Sequence, residues 1–297
     1  MRRTIGVLAA EHIAVGLVEN HRVVGTVHVF PETGNESDYL EEMPAEEIVQ
    51  QIAQQIELVG RDEAIEAVGV GFPGIIHNGI VEDSPNLQQM KGFNLEAALS
   101  AALADRFPLS VLILNDADAV AAGIAATRGH LEKLVRVWTL GTGVGFGHYP
   151  HAEGVWEGGH TVVTVDPKEN FCGCGGKGHL EGVMGHRAMR LRFLDLEPEE
   201  VFANARVGDA RCGAFVELWH QALAAATATS IHLEGPGKFY ISGPNSRFID
   251  VAVLDGLVHE MVKMSPLQGS SLEVVSTDDE IAIIGAAVNA LRNASRV

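Results

Sequence analysis

The sequence predicts an α/β protein of two lobes with a cleft between them. Three observations support this fold class. Three short β-rich runs follow one another within the first thirty residues, as in a β-meander. Segments with strand-like and helix-like patterns then alternate, and this alternation partly recurs after residue 135. The length of 297 residues is about twice that of a common single domain, which suits two lobes.

The elements of the first half follow from side-chain patterns. Apolar side chains at spacings of four and three, from Ile48 to Val59, mark one face of a helix that Gly60 ends. Runs rich in β-branched residues mark the strands, and Pro108 marks the return to the last of them. The predicted elements are strands over 5–9, 12–18 and 23–29, a helix over 44–60, a strand over 64–71, a helix over 95–106 and a strand over 111–114.

The second half repeats the alternation around a turn-rich stretch over 141–178. Its predicted elements are a helix over 117–128, a strand over 135–140, helices near 180–194 and 215–233, a strand over 239–242, a helix over 251–264, a strand over 272–275 and a helix over 280–292. We therefore expect a smaller lobe over residues 1–116 and a larger lobe over 117–279, with the closing segment at about 280–297 packing on the smaller lobe.

The composition excludes several classes of protein. With 46% hydrophobic and 20% charged residues, the chain is globular rather than disordered. The 39 acidic against 21 basic residues give a formal net charge of −18, which argues against nucleic acid, polyphosphate or an anionic membrane as a partner of the whole surface. A small anionic ligand held by backbone amides stays compatible with this charge.

Cellular location is predicted from three features. No apolar run approaches the roughly 20 residues of a membrane span, and the N-terminus enters a strand pattern without a signal-peptide core. The three cysteines (Cys172, Cys174 and Cys212) are an odd number, and one intervening residue suits a mutual disulfide poorly. These features predict a cytoplasmic protein in a reducing compartment.

The sharpest chemical signal is a group of cysteines and histidines. His160 is followed by Cys172, Cys174 and His179, with glycines at four positions between Cys172 and His179. Two thiols and two imidazoles form a complete tetrahedral ligand set for Zn²⁺, and the glycines let a short loop wrap the metal. Four protein ligands leave no open position, so the predicted zinc is structural. The alternative is two reduced surface cysteines beside unrelated histidines.

Two further motifs follow predicted strands. Asn115 and Asp116 stand at the end of an apolar strand where a helix begins, a place where ligands bind in α/β sheets. A carboxylate there can accept a hydroxyl proton, although Asp116 or Asp118 can equally cap the helix. After the strand over 135–140, glycines alternate over 141–147 around Thr142, so backbone amides can approach phosphate oxygens. A glycine-rich hairpin without a ligand is the alternative.

Carboxylates stand close to the predicted metal site. Glu157 precedes His160 by three residues, and Glu181 follows His179 by two. Such acceptors, presented around a rigid metal site, would suit a polyhydroxylated substrate. Taken alone, each of these carboxylates is more typical of a solvated surface charge.

Together these motifs resemble the ROK family of bacterial sugar kinases, related open reading frames and repressors. The resemblance covers nearly the whole chain. It rests on Gly71-Phe72-Pro73-Gly74, Ser84-Pro85-Asn86-Leu87, Asn115-Asp116-Ala117-Asp118-Ala119, Leu140-Gly141-Thr142-Gly143-Val144-Gly145, Glu157-Gly158-Gly159-His160 and Cys172-Gly173-Cys174-Gly175-Gly176-Lys177-Gly178-His179-Leu180-Glu181. It implies an actin-like ATPase (ribonuclease H-like) fold, with sugar and ATP meeting in the central cleft, and a homodimer.

The resemblance also implies roles for individual residues. Asp116 would be the general base that takes the proton from the attacking sugar hydroxyl. The sugar-binding residues would be Asn86, Asn115, Asp116, Glu157, His160 and Glu181. The metal ligands would be His160, Cys172, Cys174 and His179. ATP, accompanied by Mg²⁺, would contact Gly141, Thr142, Gly143, Gly145 and Gly243.

Three positions depart from the family pattern. The first hairpin reads Leu8-Ala9-Ala10-Glu11-His12 where the family usually has Asp-Ile-Gly-Gly-Thr, a turn that admits phosphates. Glu11 would place a negative charge beside those phosphates. His179 occupies a usual cysteine position, which zinc tolerates. Ser242-Gly243 replaces a usual Gly-Gly pair beside the nucleotide.

Two functional hypotheses follow. The first is an ATP-dependent kinase acting on glucose or a related hexose. The second is a ROK protein that binds a sugar without ATP-dependent kinase activity, which the altered first hairpin favours. A third hypothesis is a phosphosugar-acting or otherwise altered enzyme with a rebuilt donor site, to which His12 could contribute, although a solvent-exposed hairpin histidine is the favoured interpretation of His12. Transcriptional repression is the least favoured, because no helix-turn-helix segment precedes the first strand.

Overall fold

The computed structural model describes residues 2–32, 40–61, 63–106, 110–152, 154 and 157–295. The chain forms two compact units. Unit 1 comprises residues 1–135, 147–155 and 277–297, and unit 2 comprises residues 136–146 and 156–276. Pro108, which was predicted to mark the return to the strand over 111–114, lies outside the described residues.

The described residues contain helices and strands in an alternating order. The strands are β1 (Arg3–Ala9), β2 (Ile13–Glu19), β3 (Arg22–Phe30), β4 (Ile65–Phe72), β5 (Ile75–His77), β6 (Ile80–Asp83), β7 (Phe93–Asn94), β8 (Ser110–Asn115), β9 (Val135–Leu140), β10 (Val144–Tyr149), β11 (Lys238–Ser242) and β12 (Ser271–Val274). The helices are α1 (Ala45–Gly60), α2 (Leu95–Leu103), α3 (Asp116–Thr127), α4 (Leu180–Met184), α5 (His186–Arg192), α6 (Pro198–Arg206), α7 (Ala210–Glu234), α8 (Val251–Met261) and α9 (Asp279–Ala294).

Unit 1 is built on a five-stranded sheet of order β3-β2-β1-β4-β8. The predicted meander β1–β3 is antiparallel, and β4 and β8 add to it in parallel. Asn20 and His21, with φ of 51° and 61°, make the tight turn between β2 and β3. Because side chains alternate along a strand, Ile5 and Val7 join the core that contains α1, while Gly6 faces α9 on the other side.

Helices α3 and α9 cross at small residues in unit 1. A Cβ on Gly123 would lie 1.8 Å from the Ile281 carbonyl oxygen, and one on Gly285 would lie 1.8 Å from that of Ala119. A Cβ on Gly6 would likewise lie 1.9 Å from the Ile283 carbonyl oxygen. The close approach of these backbones therefore places α3 in unit 1, whereas the larger lobe was predicted to begin at residue 117.

Unit 2 contains α4 to α8 and most of a four-stranded sheet of order β10-β9-β11-β12. Its core gathers large aromatic side chains, among them Trp138 on β9 and Trp219 on α7. Trp138 donates a hydrogen bond from its indole nitrogen to the Thr227 hydroxyl at 3.1 Å, so the one polar atom of this buried ring is satisfied.

Some elements differ from the sequence prediction. Strand β10 occupies part of the stretch that was predicted to be turns. The prediction missed it because its glycines interrupt the β-rich pattern that marks a strand; these glycines allow close backbone contacts instead. The helix predicted near 180–194 is broken at Gly185, whose φ and ψ of −62° and 142° are extended, into α4 and α5. Helix α6 and the small sheet β5-β6-β7 were not predicted. Helix α6 begins at Pro198, and the Glu200 side chain accepts from the Glu197 amide at 2.8 Å; proline at the first helical position is a signal that the sequence offered.

Candidate functional site

The four predicted metal ligands come together in unit 2. The candidate ligand atoms of His160, Cys172, Cys174 and His179 all lie within 4.8 Å of one another. The two Sγ atoms are 3.3 Å apart, and Cys174 Sγ is 3.3 Å from His179 Nδ1. Gly175 and Gly178 turn the loop with φ of +81° and +70°, conformations that favour glycine.

This donor set fits a structural zinc ion. All three cysteines are free, so the two neighbouring thiols of the loop are available as ligands rather than joined as a disulfide. Two sulfurs and two imidazole nitrogens are the soft-to-borderline donors that zinc takes in tetrahedral sites. The Gly176 amide donates to Cys174 Sγ at 3.3 Å, a contact that supports a thiolate at that position. Burial raises the pKa of the Cys172 thiol to about 12.

Glu181 links this cluster to the glycine-rich loop between β9 and β10. Its Oε1 accepts a hydrogen bond from Cys172 Sγ at 3.4 Å, and its Oε2 accepts one from the Val144 amide at 3.3 Å. A Cβ on Gly143 would lie 2.6 Å from the same Oε2, so glycine leaves room for this carboxylate. Glu157 contacts another member of the cluster, with Oε2 3.5 Å from His160 Nδ1. The two predicted acceptors of unit 2, Glu157 and Glu181, therefore each contact the cluster.

The glycine-rich loop is also joined to the segment after β11. Gly243 has a φ of +87°, and a Cβ there would lie 2.5 Å from the Leu140 carbonyl oxygen. The buried Asn245 donates from Nδ2 to the Gly141 carbonyl oxygen at 3.1 Å. Thr142 is exposed at the tip of the loop. The structure thus brings Gly243 to the predicted nucleotide loop and adds Asn245, which no local sequence signal had marked.

In unit 1, Asn115 and Asp116 lie at the junction of β8 and α3. Asn115 is the N-cap of α3: its Oδ1 accepts from the Ala117 amide at 2.8 Å, and its Nδ2 donates to the Gly74 carbonyl oxygen at 2.9 Å. Asp116 is therefore the first helical residue rather than the cap, and its half-buried Oδ1 also accepts from the Ala117 amide, at 2.9 Å. Asn86 is exposed in the loop that follows β6.

The hairpin between β1 and β2 differs from a phosphate-binding turn. The Ala10 amide donates to the His12 carbonyl oxygen at 3.1 Å, which closes the turn, and Glu11 is exposed. His12 Nε2 lies 2.7 Å from Asp279 Oδ2 at the start of α9. This hydrogen bond raises the pKa of His12 above its ordinary value, against the effect of partial burial. The turn thus contains His12, which pairs with Asp279 of α9, and the exposed acidic side chain of Glu11.

No helix among the described residues is both long and apolar enough to cross a bilayer.

Comparisons with known proteins agree with the family resemblance that the motifs indicate. The chain is 30% identical over 242 residues to a glucokinase of Pyrobaculum calidifontis, an alignment covering 76% of this chain and 79% of that protein. Its structure is similar to that of a ROK hexokinase from Thermus thermophilus, with a TM-score of 0.80, 22% identity and coverage of 99% and 100% of the two chains. A ROK family glucokinase from Streptomyces griseus, solved in complex with glucose and AMPPNP, matches 98% of this chain and 99% of its own with a TM-score of 0.63 and 23% identity.

The structural likenesses show the predicted α/β fold of the actin-like ATPase class. The sequence model of the ROK family matches residues 10–293, nearly the whole chain, so this protein belongs to the ROK family.

Proposed function

We propose that this protein is a sugar kinase that transfers the γ-phosphate of ATP to a hydroxyl of glucose or a related hexose. The observation that carries the proposal is Asp116, a half-buried carboxylate at the end of β8 whose neighbour Asn115 fixes the start of α3. A general base must be held in place to accept a proton from a bound hydroxyl. The family membership and the kinase names of the relatives support the same reaction.

In this mechanism Asp116 takes the proton from the attacking sugar hydroxyl. The hydroxyl oxygen forms a bond to the γ-phosphorus while the bond between that phosphorus and the leaving oxygen of ADP breaks. Asn115, Glu157, His160 and Glu181 would bind other hydroxyls and so orient the sugar. Asn86, exposed in its loop, is a weaker candidate for the same role.

The nucleotide would meet the glycine-rich loop of unit 2. Gly141, Gly143 and Gly145 leave the backbone of this loop without side chains, and Thr142 adds an exposed hydroxyl. Gly243 lies beside the same loop and would face the adenosine. Mg²⁺ bound with ATP would neutralise the charge that develops on the transferred phosphoryl group.

The zinc proposed at His160, Cys172, Cys174 and His179 would supply structural rigidity only, since the four protein ligands leave no position open for substrate. The residues that it would hold in place are Glu181, which follows the ligand His179 by two residues, and Glu157, through His160.

Product formation tests the proposal. The protein would be incubated with ATP, Mg²⁺ and a panel of hexoses and N-acetylhexosamines, and phosphosugars would be detected by mass spectrometry. We expect product with the wild type and a loss of about 10²- to 10⁴-fold in kcat for Asp116→Asn, the range of a missing general base. Asp255→Asn, an exposed change on α8, is the matched control and should keep the wild-type rate. Equal rates for Asp116→Asn and the wild type would remove Asp116 from the mechanism.

A second function, sugar binding without ATP-dependent phosphorylation, is favoured by the hairpin between β1 and β2. Glu11 and the His12–Asp279 pair occupy the turn where the family usually has a phosphate-binding sequence. Thermal shift measurements separate the two functions. A kinase should be stabilised by ATP·Mg²⁺ as well as by sugar, whereas the sugar-only protein should respond to sugar alone.

A further inference from the structure

A buried carboxylate and two histidines form a second cluster in unit 1, beside the junction that carries Asp116. Asp118 is only 5% exposed, and its Oδ1 accepts a hydrogen bond from the His148 backbone amide at 2.7 Å. The side chain of His148 places Nδ1 3.7 Å from the same oxygen, and that of His151 places Nδ1 3.5 Å from Oδ2. The carboxylate therefore faces one amide and two imidazoles that come from β10 and the residues after it.

Asp118 is not needed as a cap for its own helix. Asn115 already fills the N-cap position of α3 and accepts from the Ala117 amide. Asp118 sits in the first turn and accepts from a different element of the structure, so its hydrogen bond joins α3 to β10. Charges buried to this degree are uncommon in proteins unless hydrogen-bonded partners compensate them.

The ionised form of Asp118 is favoured despite its burial. Burial alone would raise the pKa of this carboxyl, but the interactions with His148 and His151 outweigh it and hold the pKa below its ordinary value. A carboxylate accepts stronger and shorter hydrogen bonds than a neutral acid does, which agrees with the 2.7 Å contact to the His148 amide.

Close backbone packing adds to this hydrogen bond. A Cβ on Gly147 would lie 2.0 Å from the Ala117 carbonyl oxygen and 2.6 Å from the Asp118 nitrogen. The backbone of strand β10 therefore packs directly against the first turn of α3 at residues 117 and 118. On the other side of Asp116, the Asn115 side chain ties the junction to the Gly74 carbonyl oxygen.

The backbone of Asp116 thus runs between two anchors, Asn115 on Gly74 and Asp118 on His148. We propose that Asp118, supported by His148 and His151, is a positioning residue that holds the first turn of α3 so that Asp116 meets the sugar hydroxyl in a productive geometry. This inference rests on the proposed function of Asp116 as general base. Misplacement of a catalytic group by about 1 Å can cost roughly 10²-fold in rate, so such an anchor has a measurable effect on turnover.

The test compares Asp118→Ala with Asp118→Asn. The alanine variant removes the acceptor, whereas the asparagine variant keeps an oxygen for the His148 amide and loses only the charge. We expect kcat to fall about 10- to 100-fold in Asp118→Ala with KM for the sugar within about threefold of the wild type, because the acceptors of the sugar are untouched. Asp118→Asn should have a kcat within about fivefold of that of the wild type. If the alanine variant does not fold, the kcat of Asp118→Asn can still be compared with that of the wild type.

Hydrogen–deuterium exchange provides a readout that does not depend on turnover. Amides at residues 115–119 should exchange faster in Asp118→Ala than in the wild type, while those of unit 2 should not change. Asp209→Ala is the matched control, since it also removes a carboxylate that accepts from a helix amide, at 2.8 Å from Cys212, but at the start of α7 in unit 2. It should leave kcat and the exchange of α3 unchanged.

The outcomes separate this inference from the proposed function. If the wild type makes no phosphosugar, the proposed function fails and the inference fails with it. If the wild type is active but Asp118→Ala keeps its kcat, the inference alone is overturned, whatever the exchange of α3 shows. An equal loss of kcat in Asp118→Ala and Asp118→Asn would also overturn it, because the retained hydrogen bond would then have no effect.

Discussion

The family resemblance implies phosphate-binding turns at two hairpins of this protein, and the two hairpins differ in almost every local property. The turn between β9 and β10 keeps alternating glycines, an exposed Thr142 and a carboxylate, Glu181, that accepts from the Val144 amide. The turn between β1 and β2 contains no glycine in residues 8–12, exposes Glu11 and is tied to α9 through His12 and Asp279. One turn is rich in glycine and donates its Val144 amide to Glu181, whereas the other lacks glycine and carries the exposed Glu11.

The departure of the first hairpin from the family pattern is local. Strands β1 and β2 pair in an unbroken antiparallel register from Arg3↔Glu19 to Ala9↔Ile13, and both are largely buried. The sheet that supports the turn is therefore intact, and only the residues that would meet phosphate are altered. The four experiments that follow act on one hairpin or the other.

The largest effect should come from the proposed zinc site, whose residues lie close to the β9–β10 hairpin. Cys174→Ser replaces a proposed zinc ligand, so zinc content should fall well below one ion per chain, and the free energy of unfolding should drop by about 4 kcal/mol or more, the range for loss of a metal. Because Glu181 follows the proposed ligand His179 by two residues and accepts from the Val144 amide, hydrogen exchange should rise in the β9–β10 turn and stay constant in the β1–β2 turn. Metal analysis and exchange measurements check this.

Cys212→Ala is the control for that experiment, since Cys212 is buried in α7 and lies outside the cluster. It should keep the full zinc content. Purified wild-type protein that contains no zinc, prepared without chelator, would contradict the metal assignment.

A smaller loss of stability is expected at Gly159. A Cβ there would lie 2.0 Å from the Val144 carbonyl oxygen at the start of β10, so Gly159→Ala must shift backbone and should cost about 1–3 kcal/mol of unfolding free energy. Gly213→Ala is a matched change in α7, where no atom stands near the added methyl group, and it should be neutral or stabilising. Urea unfolding of the two variants checks the difference; equal midpoints would show that β10 yields easily at this contact.

Removal of the charge on Glu11 should strengthen nucleotide binding to the first hairpin. Glu11→Gln takes away a like charge beside the position proposed for the phosphates, which is worth about 1 kcal/mol at contact distance in water, or roughly a fivefold lower Kd for ATP·Mg²⁺. Glu46→Gln removes an equally exposed charge from α1 of the same unit and should leave the Kd unchanged. Calorimetry that detects no nucleotide binding to any of these proteins would favour the sugar-binding function without a kinase step.

The smallest effect concerns pH and the His12–Asp279 pair. The pKa of His12 is raised in the folded protein, so the pair stabilises fully below the unfolded pKa of about 6.5 and loses its contribution as pH rises through the folded value. His12→Asn should therefore lower the Tm more at pH 5.5 than at pH 8.5. Both side chains are about one-third exposed, so the effect should stay below about 1 kcal/mol.

His21→Asn serves as the control for the pH experiment. His21 lies exposed in the next turn with a φ of 61°, a conformation that asparagine also adopts readily, so its Tm should follow that of the wild type at both pH values. A Tm difference for His12→Asn that does not change with pH would mean that the pair is not ionic in the folded protein.

Patterns that are local in the chain were predictable from the sequence. The meander, the amphipathic helix from Ile48 to Val59 and the strand at 135–140 follow from apolar spacing, and the structure has each of them. The clustering of His160, Cys172, Cys174 and His179 was predictable as well, since three of the four stand within eight residues and all have donor types that zinc accepts; the zinc itself stays a prediction. The family resemblance, which rests on such short motifs, is confirmed.

Contacts between distant residues were decided by the tertiary structure alone. The sequence offered Asp116 or Asp118 as helix caps, but the fold uses Asn115 and turns Asp118 towards His148, thirty residues away. In the same way His12 meets Asp279 across 267 positions of the chain. Local spacing reports which face of an element is apolar, whereas the partner of a polar side chain depends on how whole elements pack, and that packing sets the surroundings of Asp116.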